Sequence, residues 1–460
     1  MRNCRKILLP LLFLLCAGCV TETESPAHSS LPIAKGGIPA AEIIVPETPS
    51  APVLTAAREL QKWVKAISGA ELGIYHAPTT AKNTKIYLGK EFAEGYAVDI
   101  AATKGTDGVA VRAAGSNLYI FGALDRGVLN GVYELLNRNT DLIFARPDED
   151  SAAVCSSMPN LSFGETDFRV VPSWKERHFA LVNVHFDPWT HEWSMRNFAN
   201  YRGMFYNKYH ILSSLSSFFS SVTYEYGTLL ANGKYFGRHP EFYGWKEGKR
   251  HPYKHYGTQI CYTNVKGAEA VIKETLVALK RDMTPEITEV HFGFGDTWDL
   301  CLCPECLEPI RCEDGTVLNP SDDAFRSTQY YRYLNRIADA VAKARPGLKI
   351  STLAYLYAAV PPKEKLHPNL TVIFCPYVKN DKVPVTEPVN KVWEKRSREW
   401  ADAGKNIGIY EYYGDSSDFP RPIADTAMKD MRFWNSLGIN TFFSLETYPD
   451  VRRRKPEDDK

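Results

Sequence analysis

Residues 289–298 read EVHFGFGDTW. Val290, Phe292 and Phe294 make a short apolar run of strand-forming residues, Gly293 and Gly295 loosen the backbone at its end, and Asp296 follows at once. Working outward, the same unit recurs: a short apolar strand, a polar loop, then a helix-length amphipathic segment. Strands are expected at 178–183, 209–215, 258–261, 289–294, 349–355, 370–374, 407–411 and 440–445. Helical periodicity falls at 194–202, 266–281, 328–344, 390–403 and 422–437. Eight strands alternating with helices define an α/β chain and predict a (β/α)8 TIM-like barrel over residues 168–450. The final stretch, YPDVRRRKPEDDK, is charged and lacks an apolar period. Residues 451–460 are therefore expected to be an atypical tail, leaving the barrel without its last helix.

Upstream, residues 36–150 show the order β-α-β-β-β-α and are expected to form a small α/β sandwich domain. Ala56, Leu60, Val64 and Ile67 fall at helical spacing, and Gly115-Ser116 marks a hairpin. Residues 1–19 carry Arg2, Arg5 and Lys6, then an apolar run too short to span a bilayer, then Cys16-Ala17-Gly18-Cys19. This resembles a bacterial lipoprotein signal, which implies an exported protein lipidated at Cys19 and held on a membrane, at its periplasmic or cell-surface face, by lipid alone. Residues 20–35, rich in Ser and Pro, read as a flexible tether.

Composition limits the partners. The 460 residues carry 55 Lys+Arg against 54 Asp+Glu, a balance that excludes nucleic-acid binding by bulk electrostatics. The 44% hydrophobic content is ample for large cores. Tyr and Trp are abundant, and their flat faces suit sugars, though most serve as core.

A barrel places its active site at the C-terminal ends of the strands. The polar residues expected there are His178, His185, Asp187, Asn264, Asp296, Tyr355, Tyr357, Tyr377, Glu411, Tyr412 and Glu446. Asp296, Glu411 and Glu446 are the candidate catalytic carboxylates. Paired carboxylates are what glycosidic cleavage requires: one protonates the leaving oxygen, the other activates water or attacks the sugar. On this reading Asp296 is the general acid, Glu411 the base or nucleophile, and Glu446 orients water. His178, Asn264, Trp298, Tyr355, Tyr377 and Tyr412 are the candidate sugar contacts. The chemistry requires no cofactor.

Cys301-x-Cys303-x2-Cys306-x5-Cys312 places four thiols within twelve residues. A structural Zn site, disulfides permitted by export, and reduced packing all remain open. The aromatic insertion at 216–256 reads either as a substrate-contacting lid or as a local core, and its cations Lys234, Arg238, Lys246, Lys249 and Arg250 are candidate partners for a uronate.

Two resemblances extend this reading. Arg58-Glu59-Leu60, Gly108 to Arg112 and the run Arg126-Gly127-Val128-Leu129-Asn130-Gly131-Val132-Tyr133-Glu134-Leu135-Leu136 resemble the N-terminal domain of family 67 α-glucuronidases, to which an accessory domain of β-hexosaminidases is related. That domain supports a catalytic barrel. The barrel segment resembles the domain-of-unknown-function family 4838. The residues concerned are Lys234-Tyr235-Phe236, His239-Pro240-Glu241-Phe242-Tyr243, Gln259-Ile260-Cys261-Tyr262-Thr263-Asn264, Cys301-Leu302-Cys303-Pro304-Glu305-Cys306 and Ser351-Thr352-Leu353-Ala354-Tyr355. The resemblance implies an exported carbohydrate-active protein. Asp296 stands where family 67 places its acid Glu, a change of residue type. The expected activity is a glycoside hydrolase acting on a polysaccharide, with uronic-acid units as one candidate target. The alternatives are a non-catalytic glycan-binding lipoprotein and an inactive truncated product.

Overall fold

A computed structural model describes residues 30–81, 83–182, 188–200, 223–225, 229–282, 289–414 and 423–447. The signal segment with Cys19, most of the expected tether, His185, Asp187, the expected strand at 209–215 and the tail at 451–460 lie outside the described residues.

The N-terminal unit is a six-stranded mixed sheet. Its order is Phe168–Val170, Val109–Ala114, Asn117–Phe121, Thr84–Leu88, Ala41–Ile44, Ile74–Tyr75. The first three strands pair antiparallel and the rest parallel. Helices Ala51–Ser68 and Asp125–Asn139 pack together on one face through Leu60, Val64, Val128 and Leu136. The unit is larger than expected at both ends. Leu31–Lys35, read as tether, is a strand paired with Leu161–Phe163, and its Ile33 is fully buried. Phe168–Val170, expected to open the barrel, is an edge strand of this first sheet. Short apolar segments beside Pro and Ser look like linker in sequence, but buried apolar side chains decide the outcome.

The family-like run at 126–136 is explained by close packing. A Cβ on Gly127 would stand 2.2 Å from the carbonyl oxygen of Gly108. One on Gly131 would meet Val109 Cγ2 at 2.5 Å and Ile120 Cγ2 at 2.6 Å. Only glycines let this helix lie so near the sheet.

The second unit is a seven-stranded parallel sheet with helices packed against it. Its order is Glu176–Val182, Thr441–Thr447, Ile407–Gly414, Leu370–Phe374, Lys349–Ala354, Glu289–Gly293, Thr223–Glu225. The first strand in sequence therefore lies beside the last. The fold is mixed α/β. One expected strand is corrected: 258–261 is a loop outside the sheet, with Ile260 in an isolated bridge to Tyr243 of the insertion. Thr223–Glu225 occupies the place beside Glu289–Gly293 instead.

The two units meet through buried polar contacts. Arg196 donates to both Glu59 oxygens at 2.9 Å, and Trp63 and Tyr133 donate to the same carboxylate. Asp107 accepts from Arg177, Asn130 and Asn200. Arg126 donates to the Ala199 carbonyl.

Candidate functional site

Successive strand residues face opposite sides of a sheet. In the parallel sheet, Leu353, Tyr355, Ile373, Cys375, Tyr410, Tyr412 and Phe443 form one face cluster. Ile350, Val372, Phe374, Ile409 and Phe442 belong to the opposite face, packed on helix residues such as Trp400 and Trp434.

Asp296 sits just past the Glu289–Gly293 strand, where the chain packs tightly before turning outward. A Cβ on Gly295 would stand 2.6 Å from the His255 carbonyl. Gln259 pins this glycine twice, donating to its carbonyl and accepting from its N–H at 3.3 Å. Phe294 is buried and stacks on Tyr355, with centroids 5.0 Å apart. The next side chain, Asp296, is exposed. Its charge acts on the nearby Tyr355: burial, then this charge, push the Tyr355 phenol far above its ordinary range. Burial and Asp296 also raise Tyr377, which packs edge-on against Tyr355 at 6.4 Å. Trp298, two residues on, is 61% exposed. Asp296, Tyr355, Tyr377 and Tyr412 thus gather around one sheet face at the C-terminal ends of its strands, and Trp298 follows Asp296 by two residues.

Glu411 is not in this group. It alternates with Tyr410 and Tyr412 and turns toward helix Ala424–Ser436, where it is only 3% exposed. Lys379 Nζ lies 3.4 Å from both Glu411 and Asp430, and over the Tyr413 ring. Asp430 also accepts from Tyr413 and from the Val385 N–H. Burial pushes the Glu411 carboxyl up to about 8 against the pull of Lys379. A base or nucleophile must be ionised and reachable. Glu411 is buried against Lys379 and Asp430 and turned away from the Asp296 face, which corrects the role expected for it.

Asn264 is also corrected. Its Oδ1 accepts from the Gly267 N–H at 2.7 Å, capping helix Val265–Asp282. Glu446 and His178 lie within strands Thr441–Thr447 and Glu176–Val182; their side chains are outside the described residues. Tyr357 is buried and shares a hydroxyl contact with Tyr262. The described part of the insertion is a packed local core: Tyr243 is fully buried, with Phe236 edge-on at 5.2 Å. Three of its five cations are already engaged. Lys234 pairs with Glu274, Lys246 with Asp299, and Arg250 donates to the Tyr243 carbonyl and Cys301.

The cysteines rearrange most. Cys261, Cys301, Cys303 and Cys306 are all buried, with every Sγ within 4.8 Å of the others. Cys312 stands apart, packed with Ile310, Leu318 and Phe325. All seven described cysteines are free thiols. Sequence reasoning misses Cys261 as a member, although it lies inside the Gln259–Asn264 run. It also misses Lys379 and Asp430, for which no local signal exists.

Fold and site together define an α/β protein with a carboxylate and an aromatic wall at the C-terminal edge of a parallel sheet. Residues 151–457 match the family described as Domain of unknown function (DUF4838), and the chain belongs to it. No curated protein sequence matches the chain. Among solved structures, the chain is similar to "a novel family GH115 4-O-Methyl-alpha-glucuronidase, BtGH115A, with specificity for decorated arabinogalactans". The identity is 13% and the TM-score 0.51, covering 90% of this chain and 55% of that one. The chain therefore spans about half that protein's length. It is also similar to a Streptomyces plicatus N-acetyl-beta-hexosaminidase in complex with Thio-NAglucal. That match has 12% identity and a TM-score of 0.50, covering 91% of this chain and 82% of that one. These likenesses concern the fold.

Proposed function

We propose that this protein hydrolyses a glycosidic bond in a polysaccharide, with the parallel sheet closing as a (β/α)8 barrel and Asp296 as proton donor. The observation that carries the reading is the exposed Asp296 carboxylate, whose charge acts on the neighbouring Tyr355 and Tyr377 phenols, with the exposed Trp298 two residues along the chain. Aromatic faces bind the apolar faces of sugar rings, and a positioned acid protonates the leaving oxygen. Glu446, in the strand paired with both Glu176–Val182 and Ile407–Gly414, is the second carboxylate this reading calls on. The fold shared with a glucuronidase makes uronic-acid-containing glycans the first substrates to try. The work is done outside the cytoplasm, at a membrane surface, through a lipid on Cys19.

The test is release of sugars from a panel of plant and microbial polysaccharides by the wild type and by Asp296→Asn, Glu446→Gln and Glu411→Gln. Release abolished by the first two, and retained in large part by the third, supports the assignment. Release that survives Asp296→Asn removes Asp296 from the chemistry. The withdrawal of Glu411 from the Asp296 face favours one alternative, a glycan-binding protein without turnover. It would show as saturable glycan binding by folded protein with no product formed.

A further inference from the structure

We propose that Cys261, Cys301, Cys303 and Cys306 bind one zinc ion as a closed tetrathiolate site that ties together the two loops framing Asp296. Zn–S bonds of about 2.3 Å in a tetrahedron require sulfur–sulfur edges of about 3.8 Å. Cys261 Sγ lies 3.8 Å from Cys303 Sγ and 3.6 Å from Cys306 Sγ, and the four sulfurs stay within 4.8 Å of one another. This spacing is too wide for disulfide bonds, whose sulfurs stand about 2 Å apart.

The surroundings are those of an anion. Four thiolates around Zn2+ carry a net charge of −2, which buried apolar surroundings penalise unless it is compensated. Two guanidinium groups are aimed at the cluster. Arg250 donates to Cys301 Sγ at 3.4 Å, and Arg326 donates to the carbonyls of Cys301 and Cys306 at 3.3 and 3.1 Å. Further donors reach the sulfurs directly: the Trp245 N–H lies 3.2 Å from Cys301 Sγ, and the Thr263 hydroxyl 3.0 Å from Cys306 Sγ. Four neutral thiols packed as small hydrophobes would call for neither the arginines nor these donors. Metal-bound thiolates are held in this way by an outer ring of N–H and O–H groups.

The site is closed, with four protein ligands, so its role is structural. Three ligands come from the loop that begins at Asp296. The fourth, Cys261, is two residues from Gln259, which pins Gly295. Zinc would thus crosslink both sides of the turn that presents Asp296 and Trp298.

The test uses the full chain, purified without added metal or chelator. Elemental analysis is expected to give one zinc per chain. Four thiols should resist a thiol reagent until zinc is displaced, and cobalt substitution should give the charge-transfer absorption of a tetrahedral thiolate site. Cys261→Ser should lose stoichiometric zinc, whereas Cys312→Ser should keep it. Should Cys261→Ser fail to fold, Cys261→His, which keeps a zinc donor, reads the same position. Arg250→Ala should weaken zinc binding about tenfold or more. Hydrogen exchange across residues 293–306 should rise on zinc removal. Protein free of stoichiometric metal, disulfides among these four cysteines by mass spectrometry, iron in place of zinc, or zinc lost in Cys312→Ser but kept in Cys261→Ser would each overturn the site. Unchanged exchange after zinc removal would overturn its bracing role.

Discussion

Around Lys379, one cation faces two carboxylates with no water-exposed side to share the charge. With both acids ionised this buried group carries a net negative charge. One added proton neutralises it, and Glu411 takes that proton, because Asp430 is already held by the Tyr413 hydroxyl and the Val385 N–H. The consequence is a pH slope of definite sign. Folded Glu411 titrates near 8, above its ordinary 4.5, so between these values the native state binds the extra proton. Stability should therefore fall as pH rises through that window. Glu411→Gln should flatten this part of the profile and raise the melting temperature at the alkaline end, measured by thermal unfolding at a series of pH values. The sequence correctly puts Glu411 near a strand end, but the expected face is the wrong one. The alternation that puts Tyr410 and Tyr412 together puts Glu411 opposite. Its partners, Lys379 and Asp430, come from separate elements well before and well after its strand, so they leave no local trace.

At the level of the element, helix Asp125–Asn139 shows how a sequence signature can be structural throughout. Gly127 and Gly131 admit the sheet, Asn130 holds Asp107, and Tyr133 holds Glu59. Gly127→Ala improves helix propensity yet drives a Cβ into the backbone at Gly108. It should destabilise by about 1–3 kcal/mol, read in a denaturant titration. Asn264→Ala removes only a cap and should cost about 1 kcal/mol, with little effect on glycan binding. The elements legible in the sequence are those with long periodic or apolar patterns. Residues 258–261 look like a strand because Thr258, Ile260 and Cys261 are strand-compatible residues, but their burial serves Cys261 and the Gly295 contact. The true strand there, Thr223–Glu225, has three residues, too few for a period to emerge. The cysteine cluster is misread for a related reason. Spacing along the chain favours Cys312, while the fold brings in Cys261 from a separate loop on the far side of helix Val265–Asp282 and strand Glu289–Gly293.

Across the whole molecule, the contact between the two units rests on charge as well as apolar packing. Arg196 is almost completely buried, and its bidentate partner is Glu59. Glu59→Ala would leave that buried guanidinium with only Glu192 and the Ser151 hydroxyl and should cost about 3–5 kcal/mol, while Glu59→Met with Arg196→Met should recover much of the loss. Denaturation curves of the two variants check this. The alternating pattern makes the α/β class readable, but not the unit boundaries. Phe168–Val170 joins the six-stranded sheet, and Leu31–Lys35 forms a small separate sheet with Leu161–Phe163, each by pairing with a strand far along the chain. The adjacency of the first and last parallel strands has a consequence in time. Glu176 pairs in register with Thr441, and every other described strand of that sheet is made between the two. At the roughly 5–20 residues per second of ribosomal synthesis, that partner emerges on the order of tens of seconds after the strand that waits for it. Through that interval Glu176–Val182 presents an unsatisfied edge, so the nascent chain is most prone to aggregate, and most dependent on chaperones, while most of it has already been made.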